Sequence, residues 1–187
     1  MALDPERAAF VSLALTPGIG WARIRAMLDR CETASGALAA PLEFLCTIPG
    51  ISRAAATAIG ERGTREGRRA IKAAEVMGAR CLLPGDPEFP SCLRQIPDAP
   101  ALLFALGDLS LLKRPAVAIV GSRDHTAYGA SICRHAAQAA AEAGIAVVSG
   151  MARGLDAVAH VAALDADGAT IGILLAGDAA SSGNIVV

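Results

Sequence analysis

Three short apolar runs set the rhythm of the second half of the chain. Val117-Ala118-Ile119-Val120 is unbroken and rich in β-branched residues, which predicts a parallel strand buried on both faces. It stops at Gly121-Ser122-Arg123, and an alanine-rich stretch from Ala130 to Ala143 predicts a helix that Gly144 closes in the left-handed conformation. Ile145-Ala146-Val147-Val148 is a second strand, ending in Ser149-Gly150. Asp156 then stands where an N-cap would precede a helix over Ala157 to Ala166. Thr170 to Leu175 is the third run. Strand and helix alternate, which predicts a parallel sheet with right-handed crossovers.

The first 80 residues have another pattern. Leu15-Thr16-Pro17-Gly18-Ile19-Gly20, followed by an apolar-periodic segment from Ala22 to Leu28, is repeated as Thr47-Ile48-Pro49-Gly50-Ile51-Ser52, followed by Arg53 to Ile59. Each copy places a Pro-Gly turn ahead of a helix, the form of a helix-hairpin-helix. Between the halves, Pro84, Pro87, Pro90, Pro97 and Pro100 exclude long regular elements, and Ala101 to Leu106 reads as a short strand. The expected fold is therefore α/β: an N-terminal helical domain (SAM-like, or helix-hairpin-helix) over 1–80, then a partial Rossmann-like parallel sheet over 81–187.

Two loops should leave the carboxyl ends of adjacent parallel strands, where open α/β sheets hold ligands. One carries Gly121, Ser122 and Arg123; the other carries Ser149, Gly150, Arg153 and Gly154. Small residues, exposed N–H groups, hydroxyls and guanidinium groups are parts for holding phosphate. A dinucleotide is disfavoured, because the first loop has no G-x-G-x-x-G and the second strand ends without an acidic residue for a ribose. Arg123 could also tie its loop to a carboxylate of its own fold, and Arg153 could pair with Asp156. Tyr128 could stack on a base or cover the sheet edge. His160, four residues after Asp156, reads as a hydrogen-bonded structural residue, and His125 and His135 have no partner pattern.

In the helical domain Gly18 and Gly20 leave a turn bare enough for backbone N–H groups to approach a phosphate, a contact that reads no bases. Two hairpins that merely pack together are the alternative. Within a helix expected over Glu61 to Val76, Arg65, Arg68, Arg69 and Lys72 fall on one face. That stripe could follow a nucleic-acid backbone, although a solvated face is the plainer reading.

Charge sharpens the division. Residues 1–80 carry eleven Lys/Arg against eight Asp/Glu, and residues 81–187 carry six against ten. With 53% hydrophobic residues and a net charge of −1, the chain reads as globular, and no apolar run approaches the roughly 20 residues of a membrane helix. The N-terminus begins with acids at Asp4 and Glu6, so a cytoplasmic location is expected. Five widely spaced cysteines without a C-x-x-C pair indicate neither a disulfide framework nor a zinc site. No G-x-S-x-G serine, Cys–His partnership or metal cluster points to catalysis, so no catalytic residue and no cofactor are expected. Aromatics are 3% of residues, which leaves base stacking a minor term.

The loop motifs carry a resemblance. G-S-R-x-x-T-x-Y-G at 121–129 and S-G-x-A-R-G-x-D-x-x-A-H-x-x-A-L at 149–164 resemble the DNA-processing protein A family (DprA, also called Smf). A looser likeness covers Asp86-Pro87-Glu88-Phe89-Pro90, Pro100, Leu102-Leu103-Phe104 and Gly107. The resemblance implies a Rossmann-like fold, sequence-independent binding of single-stranded DNA in natural transformation with Arg123 as a DNA contact, and delivery of that DNA to the RecA recombinase. It also implies that the homodimer and RecA contacts lie in segments that follow Val187 in that family. The chain departs from the family at Gly177 to Asn184, where a Tyr-Pro is usual, and at Val161, where a basic residue is common. A sheet ending at its third strand leaves Thr170 to Leu175 with a bare edge and predicts low stability or self-association. The alternatives are a phosphoribohydrolase-like nucleotide enzyme, whose P-G-G-x-G-T-x-x-E motif is not found, and an inactive remnant.

Overall fold

The computed structural model describes residues 4–175 and 182–186. They divide into two compact units, the first running to Phe104 and the second from Ala105 to Leu175, with the strand Ser182–Val186 shared between them.

The first unit opens with α1 (Pro5–Ala14), capped by Asp4, whose side chain accepts from Glu6 N. Then follow α2 (Trp21–Cys31), α3 (Ala34–Ala39), α4 (Leu42–Leu45), α5 (Arg53–Arg62) and α6 (Arg65–Val76). Their apolar faces meet in one core that includes Val11, Leu13, Ile24, Met27, Leu45, Ile59 and Ile71. The helix expected from Glu61 onward starts later than the sequence indicates. Gly60 lies inside α5, and the chain turns at Gly63, with φ 56°, before α6 begins at Arg65. A glycine inside a helix costs only about 1 kcal/mol, so Gly60 does not force a stop, whereas the left-handed Gly63 does.

Helices α1 and α6 approach each other through Gly67. A Cβ there would stand 1.9 Å from Ala8 O, and Gly67 N donates to the buried Ser12 hydroxyl at 2.8 Å. After β1 (Arg80–Leu82), the proline-rich stretch contains only the short α7 (Ser91–Arg94) before β2 (Leu102–Leu106). The stretch is pinned by Asp86, which takes Arg7 Nη1 and Nη2 at 2.9 and 2.8 Å and Leu83 N at 2.8 Å. Burial alone would raise the Asp86 carboxyl, but these donors outweigh it and hold the group below its ordinary value.

The second unit, entered through a 3-10 turn at Leu109–Lys113, alternates β3 (Ala116–Ala118), α8 (Ala127–Glu142), β4 (Ala146–Gly150), α9 (Leu155–Asp165) and β5 (Thr170–Leu175). Strands β3, β4 and β5 are parallel, with Val117 opposite Val147 and Val148 opposite Ile171. Thr126 caps α8 by accepting from Gly129 N, and Gly144, with φ 73°, ends it. Cys133, Ala137 and Ala141 of α8 bury against Ala159, Ala162 and Ala163 of α9 and Val147 of β4. Small side chains let the two helices lie close on the sheet.

Two expectations fail here. Strand β3 is not buried on both faces: Ala116, Val117 and Ala118 are all exposed, and Val120 is 76% exposed. It is an edge strand whose one neighbour in the sheet is β4, and an apolar run cannot tell from its own residues whether anything will cover it. Nor is the edge of β5 bare, because β6 (Ser182–Val186) is its neighbour in the sheet.

Candidate nucleic-acid interface

The two glycine-bearing loops meet at the carboxyl ends of β3 and β4. The meeting is between backbones. Leu155 N, at the start of α9, donates to Ser122 O at 3.1 Å, and Gly154 adopts φ 95° against the first loop. A Cβ at 154 would stand 2.4 Å from Ser122 O and 2.6 Å from the Arg123 Cα, so only glycine lets the loops touch.

Ser122 shapes the first loop from inside, its hydroxyl donating to Asp124 O at 2.6 Å and accepting from Asp124 N at 3.1 Å. Gly121, Ser122 and Arg123 are exposed, and Arg123 has no ion-pair partner among the described residues. The backbone N–H groups of Ser122, Arg123, Ala152 and Arg153 have no acceptor among the described residues either. These are parts an anion could use.

In the second loop Arg153 does not pair with Asp156. Its Nη2 lies 3.8 Å from Asp124 Oδ1, with side chains 78% and 92% exposed, a contact too wet and long to hold the arginine. Ser149 is 2% exposed, and its hydroxyl donates to Ile119 O at 2.6 Å, fastening β4 to the end of β3. Gly150 O receives His160 Nε2 at 2.9 Å, while His160 Nδ1 lies 2.6 Å from Thr170 Oγ1. His160 therefore fixes the start of the second loop to β5. Tyr128, in the first turn of α8, is 76% exposed.

Asp156 is the second residue of α9, whose N-cap is Gly154, so the helix begins two residues earlier than expected. The glycine takes the cap position because the chain must turn there with positive φ. A groove of about 210 Å³ between α8 and α9, lined by Arg134, Ala157, Val158, Val161, Ala162 and Asp165, contains no residue of either loop. Among the described residues no group of side chains could hold a metal, and no helix is long and apolar enough to cross a membrane. The segment from Ala176 to Ser181, with most of the departure noted at Gly177 to Asn184, lies outside the described residues.

In the first unit the two Pro-Gly turns lie together. Gly18 and Gly50 have φ 74° and 82°, and Ile19 and Ile51 anchor the turns in the core. Arg23 lies against both: a Cβ at Gly18 would be 3.6 Å from its Nη1, a Cβ at Gly50 would be 3.5 Å from its Nε, and its Nη1 donates to Gly18 O. Gly20 caps α2 without a side chain. Sequence does not single out Arg23, since nothing in its spacing says that it reaches the second repeat. Arg65, Arg68, Arg69 and Lys72 are all exposed along α6, on the side away from the buried Gly67, Ile71 and Ala74.

The comparisons agree with these motifs. The family model of DNA recombination-mediator protein A matches residues 80–182. The chain is 37% identical over 110 residues to the DNA processing protein DprA of Bacillus subtilis, covering 58% of this chain and 37% of that one. It is 30% identical over 176 residues to the protein Smf of Synechocystis, covering 91% of this chain and 44% of the relative. The X-ray structure of DNA processing protein A (DprA) from Streptococcus pneumoniae superposes over 100% of this chain and 67% of its own with a TM-score of 0.67, at 24% identity, which establishes the shared fold. The chain thus spans less than half the length of these two curated relatives. With a family model covering more than half of its residues, the chain belongs to the DNA recombination-mediator protein A family.

Proposed function

We propose that this chain binds single-stranded DNA without regard to overall sequence, holding its phosphates on the two loops of the second unit, as a step in DNA processing and natural transformation that hands the strand to the RecA recombinase. The observation that carries the reading is the backbone contact of Gly154 with Ser122 and Arg123, which gathers two exposed arginines and several unused N–H groups at the ends of parallel strands. Arg123 is the principal phosphate ligand in this reading and Arg153 the second, with Gly121, Ser122 and Gly154 lining the cradle through their backbones. Ser149 and Gly150 shape its floor. Gly18, Gly20, Arg65, Arg68 and Lys72 are auxiliary contacts that guide the strand by charge. The protein does no chemistry on its ligand. The names of the Bacillus subtilis and Streptococcus pneumoniae proteins, which mention DNA processing, support the same reading. Location in the cytoplasm and assembly into a homodimer belong to the same proposal.

The test is fluorescence anisotropy of a labelled single strand titrated with the chain across a salt series, with a duplex of equal length as competitor. Preferential binding of the single strand, falling steeply with salt, is the expected result. Binding that is absent, or stronger to duplex, overturns the reading.

A further inference from the structure

Arginines on two loops explain a grip on phosphates, but not a choice between single and double strands. A duplex carries one negative charge per roughly 1.7 Å of its axis, twice the density of one strand, so phosphate contacts alone favour the duplex. Preference for the single strand needs a group that meets what pairing hides. Within a duplex the faces of the bases are hidden in the stack.

Tyr128 is placed to meet them. It is the second residue of α8 and is 76% exposed. Its hydroxyl makes no hydrogen bond, and its ring no aromatic or cation–π contact, among the described residues. The buried side of α8 is formed by Cys133, Ala137 and Ala141, and Tyr128 has no part in that cluster. The ring therefore covers no sheet edge, and the fold gains little from an aromatic at this position.

Both loops lead to it. The first runs through Arg123 and Asp124 to Thr126, the cap of the helical turn that carries Tyr128. Arg153 leans over the same loop, its Nη2 3.8 Å from Asp124 Oδ1. Met151, in the second loop, is also open, at 57% exposure. A single bare apolar side chain is ordinary on a protein surface. Here one accompanies each of two open guanidinium groups, and the pairing matches the two halves of a nucleotide, an anionic phosphate and a flat apolar base face.

We infer that Tyr128 is the stacking platform for one unpaired base of a strand whose phosphates rest on Arg123 and Arg153, and that this contact gives the chain its preference for single strands; the role rests on the proposed single-strand binding. Every base has a π face, so the contact reads no sequence. One ring adds little to the total affinity beside the phosphates, in keeping with the 3% of aromatic residues, but a duplex cannot share what it adds.

The experiment measures the anisotropy of labelled oligothymidine, of a strand of equal length and charge with abasic units in place of the bases, and of a duplex of that length, using the full chain, Tyr128→Ala and Tyr128→Phe. The unaltered chain should bind oligothymidine about tenfold more tightly than the abasic strand, within the range of one base stacked on an aromatic ring. Tyr128→Ala should abolish that difference while binding the abasic strand and the duplex as the parent does, with the same salt slope. Tyr128→Phe keeps the ring and should keep the difference. Equal affinity of the unaltered chain for oligothymidine and the abasic strand overturns the inference and leaves phosphate binding standing. A Tyr128→Ala chain that retains the parent's preference, or that weakens equally on all three ligands, overturns it too. Failure of the unaltered chain to bind either single strand overturns both readings.

Discussion

Gly154 stands so close to Arg123 that a methyl group at 154 would come within 2.6 Å of the Arg123 Cα and carbonyl oxygen. Backbone cannot step aside as a flexible side chain can, and φ 95° is itself strained for any L residue. Gly154→Ala should therefore cost at least about 2 kcal/mol and lower Tm by about 5 °C. It should also separate the two loops. Loss of single-strand affinity beyond the loss of folded protein is the expected outcome, checked by pairing a thermal melt with anisotropy at a temperature where the variant is folded. A Gly154→Ala chain that binds as the parent does would show that the contact is not needed.

Arg123→Ala tests the charge alone. The side chain is exposed and ion-paired to nothing among the described residues, so its removal should leave Tm within about 1 °C. The slope of log affinity against log salt should fall by about one. An unchanged slope would remove Arg123 from the interface.

The Arg7–Asp86 pair sets an acid limit on the first unit. The folded-state Asp86 carboxyl titrates below its ordinary value, so the stability that it contributes is fully present above pH of about 4 and is lost as pH falls through the lowered value. Asp86→Asn leaves Arg7 without its carboxylate in a half-buried setting and should cost about 2 kcal/mol at neutral pH. The difference between parent and variant should shrink in acid. Urea midpoints at neutral and acidic pH measure this directly; a difference that stays constant would place the pair's contribution elsewhere.

Gly67→Ala sets two effects against each other. Helix propensity favours alanine by about 1 kcal/mol. The Cβ would meet Ala8 O at 1.9 Å, which only a shift of α1 could relieve. The clash should win, with Tm falling by several degrees; a rise would mean that α1 and α6 separate at little cost.

Several elements were legible because their signals are local. Strands β4 and β5 follow their apolar runs to within a residue or two, and Gly144 closes α8 by its own backbone freedom. What could not be read depends on neighbours distant in sequence. The exposure of β3 is decided by what lies over it, and the pairing of β5 by a strand after Ala176. The site divides in the same way. Motif spacing brought the loops of Arg123 and Arg153 to one end of the sheet. It could not tell that the Ser149 hydroxyl turns inward to Ile119 O, or that Arg153 leans toward Asp124 and leaves Asp156 alone.

Arg23 ties the two repeated turns together in a way that their sequences alone conceal. The position that the repeat makes equivalent to Arg23 is Ala55, which is too short to reach the other turn. One arginine therefore serves two turns, lying against Gly50 of the second as well as bonding to Gly18 of the first. Neither hairpin is therefore a self-sufficient copy of the other, and a change at this one residue reaches both turns.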